Sequence, residues 1–195
     1  MNTVLDRRAF LRASSTIAVV GALLPVSLAA QQSPDVSATP TAARKPPALP
    51  PGKVQATVGE SHRSLDKVRE LVEETPLLAN ACWDWGGGDF EAPLQAAAHT
   101  GQREIAEYLL GKGARLDLYA AAMLGQLDFV KAVMTLNPRA HEIPGPHGFT
   151  VLHCARRGGN EAKPVHDWLL AQGVPDVTFR PLPYVWPEGT APGAT

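Results

Sequence analysis

The residues best suited to chemistry in this chain lie in one stretch, Cys82-Trp83-Asp84-Trp85-Gly86-Gly87-Gly88-Asp89-Phe90-Glu91. Asp84, Asp89 and Glu91 offer hard oxygen ligands, and His99 follows within a turn or two of helix. The three glycines suggest a different use, because backbone without a Cβ can bring its N–H groups close to a phosphate. A phosphate loop requires Lys and then Ser or Thr after its glycines. Here Asp89, Phe90 and Glu91 follow, and their charge repels an anion. No GxGxxG spacing after an apolar strand is present, so the dinucleotide fingerprint fails too. The alternating oxygen ligands of a calcium loop are also missing. The acidic groups are expected to keep an exposed loop soluble, with no metal and no cofactor bound.

Other chemistry is equally sparse. His62, His99 and His147 lack any metal-binding spacing such as HExxH. Ser61 and Ser64 are the only serines between residues 53 and 178, and neither sits in a GxSxG elbow. No catalytic residue is therefore expected, and the chain reads as a non-enzyme. Trp83 and Trp85 stand two apart and share a face if the segment is extended. They either anchor a partner, as exposed aromatics often do, or fill a gap in their own domain.

Charge is nearly balanced, with 18 basic and 19 acidic residues. That excludes the basic footprint of a nucleic-acid binder. Asp6-Arg7-Arg8-Ala9-Phe10-Leu11-Arg12 resembles a twin-arginine export signal. An apolar run ending in small residues follows it, too short for the roughly 20 residues of a membrane span. Residues 1–29 are expected to be a cleaved signal peptide, which places the protein in the periplasm or beyond with no span left after cleavage. Its loss removes three arginines and one aspartate, leaving 15 basic and 18 acidic residues. Residues 30–52, rich in Pro, Ala, Ser and Thr, cannot bury enough surface to order themselves and read as a tether.

Between residues 53 and 178 the chain repeats. Ala92-Pro93-Leu94-Gln95-Ala96-Ala97-Ala98-His99-Thr100-Gly101 aligns with the stretches ending at Gly125 and Gly159. Each copy has leucine seven residues and alanine four residues before its glycine. The apolar set Ile105, Ala106, Leu109 and Leu110 then answers to Phe129, Val130, Val133 and Met134, and to Val165, Trp168, Leu169 and Leu170. These offsets make one apolar helix face. Lys67 to Val72 carries the same second-helix pattern for a weaker first copy, with residues 54–62 as its first helix.

APLQAAAHTG followed by IAEYLLGKGA, and TVLHCARRGG with WLLAQGV, resemble the ankyrin repeat. The resemblance implies an all-α solenoid of about four helix pairs, enough to bury a continuous core. It also implies a protein-binding module, monomeric by itself, and assigns His153 to hydrogen bonds between connectors. Residues 179–195 are expected to cap the last repeat through Phe179, Leu182, Tyr184 and Trp186.

The repeat is irregular. Its markers Arg63, Gly101, Gly125 and Gly159 are spaced by 38, 24 and 34 residues, against about 33 in the family pattern. The first connector is therefore long and holds the glycine stretch at a fingertip. The second has lost about nine residues and has no room for a finger. Tyr119 and Met123, next to the gap, either floor a recess or pack as a short repeat does. The partner-binding residues expected are Trp83, Asp84, Trp85, Asp89, Phe90, Glu91, His99, Tyr119, Met123 and His147. The alternative is a small-ligand or divalent-metal binding protein, or an enzyme, using loop 83–91 and the recess beside Tyr119. Cys82 and Cys154 lie two repeat steps apart, beyond the roughly 7 Å limit for a bridge, and are expected to be free and mainly buried.

Overall fold

In the computed structural model, residues 46–180 and Leu182 are described. The expected signal peptide, most of the tether, and Tyr184 and Trp186 of the tail lie outside them. The described residues form an all-α stack of four helix pairs: α1 (Pro51–Glu60) with α2 (Leu65–Glu74), α3 (Pro93–Thr100) with α4 (Arg103–Gly111), α5 (Leu118–Met123) with α6 (Leu127–Leu136), and α7 (Val151–Arg157) with α8 (Gly159–Ala171). No described helix is long and apolar enough to cross a membrane.

Local chemistry sets the helix ends. Pro51 and Pro93 stand in the first turns of α1 and α3, where a missing N–H costs nothing. Ser64, Asp117 and Thr150 cap α2, α5 and α7 by accepting the N–H of Lys67, Ala120 and His153. Gly101, Gly125 and Gly159 take φ of 78°, 79° and 65° at the turn into each second helix. That left-handed backbone is why glycine marks the repeat in the sequence.

The core runs along the stack as one cluster. Alanines at 96–98, 120–122 and 155 are fully buried and let the first helices approach closely. Val68 and Val72, Ile105 and Leu109, Val130, and Val165 and Leu169 supply the second-helix side. In the connectors, Asn80 accepts the N–H of Arg115 and donates to the carbonyl of Gly113, tying the end of the first repeat to that of the second.

α5 has only six residues, and no strand forms between α4 and α5. The second and fourth repeats consequently touch one another around the third. His153 Nε2 lies 3.0 Å from the carbonyl oxygen of His99, and the Arg157 guanidinium donates to that of Thr100 at 2.5 Å. His153 thus bonds a helix end two repeats back and not a neighbouring connector. The described part of the segment after α8 folds back along the fourth repeat. The Thr150 hydroxyl donates to the carbonyl of Val177, its backbone N–H donates to the carbonyl of Thr178, and the Arg180 N–H donates to that of Gly148. The rings of Phe149 and Phe179 lie 4.7 Å apart. This segment braces the connector ahead of α7, with Phe179 left 59 % exposed.

Candidate functional site

The long first connector forms the only finger among the described residues. β1 (Trp83–Asp84) and β2 (Phe90–Glu91) pair antiparallel, with Trp83 opposite Glu91 and Asp84 opposite Phe90. Gly86, Gly87 and Gly88 all adopt positive φ at the tip. The Asp84 carboxylate accepts the N–H of Gly86 at 2.8 Å and of Gly88 at 3.2 Å, so its acid is used by the turn itself. Successive residues of a strand face opposite ways. Phe90 is accordingly 60 % exposed and Glu91 fully buried. Glu91 is therefore not a solubilising surface charge.

Three histidines from three separate elements close around Glu91. His62 follows α1, His99 ends α3, and His147 sits in a single 3-10 turn, Pro146–Gly148. Glu91 Oε1 is 2.8 Å from His99 Nε2 and 3.5 Å from His62 Nε2. Oε2 is 3.4 Å from His147 Nε2 and accepts the Trp85 indole N–H at 2.7 Å. The four ligand-type atoms lie within 4.8 Å of one another. The His62 and His99 rings meet edge to face at 5.0 Å, and Phe149 stacks on His99 at 4.5 Å.

The outer nitrogens are held as well. His62 Nδ1 faces the carbonyls of Val58 and Gly59 at 3.1 and 3.2 Å. His147 Nδ1 lies 2.6 Å from Asp89 Oδ2, and its backbone N–H donates to Asp89 Oδ1 at 2.8 Å. His147 is the one non-glycine among the described residues with positive φ, at 56°, and this double bond to Asp89 offsets the strain.

The electrostatics follow from this packing. Burial pushes the Glu91 carboxyl up, but hydrogen bonds from His147, His62 and His99 together hold it far below its usual range. The hydrogen bond to Glu91, aided by Asp89, raises His147 to about 9 against the opposing effect of burial. His62 is raised by the same partner. His99, the most buried ring, is lowered by desolvation despite its bond to Glu91.

The missing second finger leaves a groove of about 310 Å³ beside this cluster. Phe90, Ile143, Pro144 and Leu182 wall it, and Tyr119 and Gln95 lie at its floor. The Tyr119 hydroxyl donates to the Ile143 carbonyl at 2.6 Å, and burial raises its pKa. A Cβ on Gly145 beneath it would press on the Tyr119 ring at 3.0 Å and on the Phe149 carbonyl at 3.1 Å.

The ten residues singled out from sequence separate into distinct places. Trp85, Asp89, Glu91, His99 and His147 meet in the cluster, and Phe90 and Tyr119 line the groove. Trp83 packs on the core of its own repeat, and Asp84 holds the fingertip. Met123 is fully buried and floors no recess. Sequence reasoning missed His62, because its partners lie far along the chain and no local spacing announces them. Among known families, the ankyrin repeat model matches residues 90–120, from the second strand of the finger to the first residues of α5. That match supports the ankyrin resemblance and the protein-interaction role such repeats suggest. The search of curated proteins returned no match.

Proposed function

We propose that the protein is an exported interaction module without catalysis of its own, which seats a segment of a partner protein in the groove left by the missing finger. The observation that carries this reading is the pair of large apolar residues held apart across the groove, Phe90 at 60 % and Ile143 at 54 % exposure. Both sit on braced backbone: Phe90 on the hydrogen-bonded finger, and Ile143 on the carbonyl that Tyr119 holds. Exposed apolar side chains on rigid supports lose little entropy when a partner covers them. The volume admits one or two large side chains, which suits an extended segment better than a helix. Export rests on the Arg7-Arg8 signal of the sequence.

A photo-crosslinking residue in place of Phe90 tests the docking reading in periplasmic extract. A discrete adduct is expected there, and none from the same label in place of Leu136 on the far end of α6. Loss of the adduct in Ile143→Ala is also expected. Identical adducts from both positions, or none from Phe90, would remove the groove from the interface. For export, Arg7→Lys with Arg8→Lys should retain the chain in the cytoplasm; unchanged localisation would defeat that part.

A further inference from the structure

Docking in the groove makes no use of three histidines gathered on one buried carboxylate. Their orientation carries an inference of its own, independent of the interaction reading. A backbone carbonyl only accepts hydrogen bonds, and so does an ionised carboxylate. His62 Nδ1 faces two carbonyls, and His147 Nδ1 faces Asp89, so both rings carry their proton on Nδ1. In the neutral ring Nε2 is then a lone pair. Both of these lone pairs are aimed at Glu91, which is itself only an acceptor. His99 Nε2 converges on the same carboxylate from α3.

The neutral His62 and His147 rings thus bring no donor to Glu91, whose oxygens are left with the Trp85 indole N–H and a single N–H that His99 can offer. Such an arrangement calls for positive charge at its centre. Adding protons ring by ring places cations side by side in a buried site, whereas one dication serves all four ligands at once. The outer bonds match the manner in which imidazole ligands are held, with the far N–H on a carboxylate or backbone carbonyl. Metal–nitrogen bonds near 2.0–2.1 Å place the corners of a tetrahedron about 3.4 Å apart. Glu91 Oε1 is 2.8 and 3.5 Å from His99 and His62, Oε2 is 3.4 Å from His147, and one ligand atom from each residue falls within 4.8 Å of the others, a spread that a small closure around an ion would bring to that spacing.

We propose that His62, Glu91, His99 and His147 bind one divalent first-row transition ion, with zinc the best match to a closed set of three imidazoles and one carboxylate. The nitrogen ligands exclude calcium and magnesium, which take oxygen. Four protein ligands leave no position for substrate, which marks the site as structural. The ion joins the end of α1, the finger, α3 and the connector before α7, and Trp85 covers one side. Asp89 acts as a positioning residue through His147.

The test uses untagged protein stripped with a chelator and titrated with zinc or cobalt chloride. Expected are one bound equivalent by elemental analysis, a raised melting temperature with zinc, and the intense visible bands of tetrahedral cobalt. Glu91→Gln risks misfolding because its carboxyl is buried, so the half-buried His147→Asn is the principal variant. His147→Asn should lose the cobalt bands, and Asp89→Asn should weaken zinc about 10–100-fold. His153→Asn, outside the ligand set, should bind as the unaltered protein does. No stoichiometric metal, no thermal shift, or equal affinity in His147→Asn would overturn the proposal. A cluster that merely exchanges protons would show all three.

Discussion

Asp89 and His147, 58 residues apart, are joined by two hydrogen bonds, one from the His147 backbone N–H at 2.8 Å and one from its ring Nδ1–H at 2.6 Å. Both Asp89 oxygens are occupied and the side chain is nearly buried. This contact crosses the place where the second finger of a regular array would stand. Removing it with Asp89→Ala should cost about 1.5–3 kcal/mol, the worth of hydrogen bonding to a buried charge. Urea midpoints of metal-stripped protein would measure it. A loss under about 0.5 kcal/mol would show that the finger and the connector hold their places without each other.

Two glycines outside the repeat markers differ sharply in what they tolerate. A Cβ on Gly158 would collide with the Met123 carbonyl, which is backbone and cannot move aside. Gly158→Ala should therefore destabilise by about 1–3 kcal/mol through overpacking. Gly59, inside α1, has nothing within 4 Å of such an atom. Gly59→Ala should stabilise by about 0.5–1 kcal/mol, because it removes backbone entropy from the unfolded chain. Paired thermal melts of the two variants should move in opposite directions.

The metal-stripped protein should lose stability as the solution becomes alkaline. His147 titrates at about 9 when folded, against an ordinary 6.5. A raised value means the charged ring favours the folded state. That contribution is complete below 6.5 and disappears as pH climbs through 9. The melting temperature should fall across this window, and His147→Asn should flatten the fall. With zinc bound the dependence should reverse, since protons then compete with the ion for the same nitrogens. Parallel profiles with and without zinc would contradict this.

The two thiols should report the fold directly. Both are free, Cys82 exposed beside the finger and Cys154 buried in α7. Cys82 is thus less covered than its repeat position suggested. Burial of the sulfur, reinforced by the Glu91 charge, raises its pKa, and burial raises Cys154 much further. A maleimide should label one thiol in the folded protein and two after denaturation, with Cys82 reacting slowly at neutral pH. An intramolecular disulfide on non-reducing mass analysis would contradict the stacking.

The regular part of this architecture is legible in sequence because its causes are local. Gly101, Gly125 and Gly159 must turn with positive φ, and alanine must stand where first helices meet; both requirements recur at fixed offsets. The gap of 24 residues also announces the missing finger. The candidate metal cluster is not legible, because its cause is the absence of something elsewhere. No finger stands between α4 and α5, and Asp89 of the first finger bonds His147, 58 residues further along. Glu91 reads as a surface acid until strand alternation turns it inward from the exposed Phe90. His62 gives no signal, since a residue past the end of a poorly matching first repeat finds its partners only after the stack closes.

The short third repeat has a further consequence. In an ordinary solenoid each unit touches only its neighbours, so the array can fray from an end one unit at a time. Here α3 and α7 meet around α5, and the first finger is bonded to the connector of the fourth repeat. Peeling off either terminal repeat therefore breaks contacts two units away. The four repeats should unfold together, as a block in place of a spring.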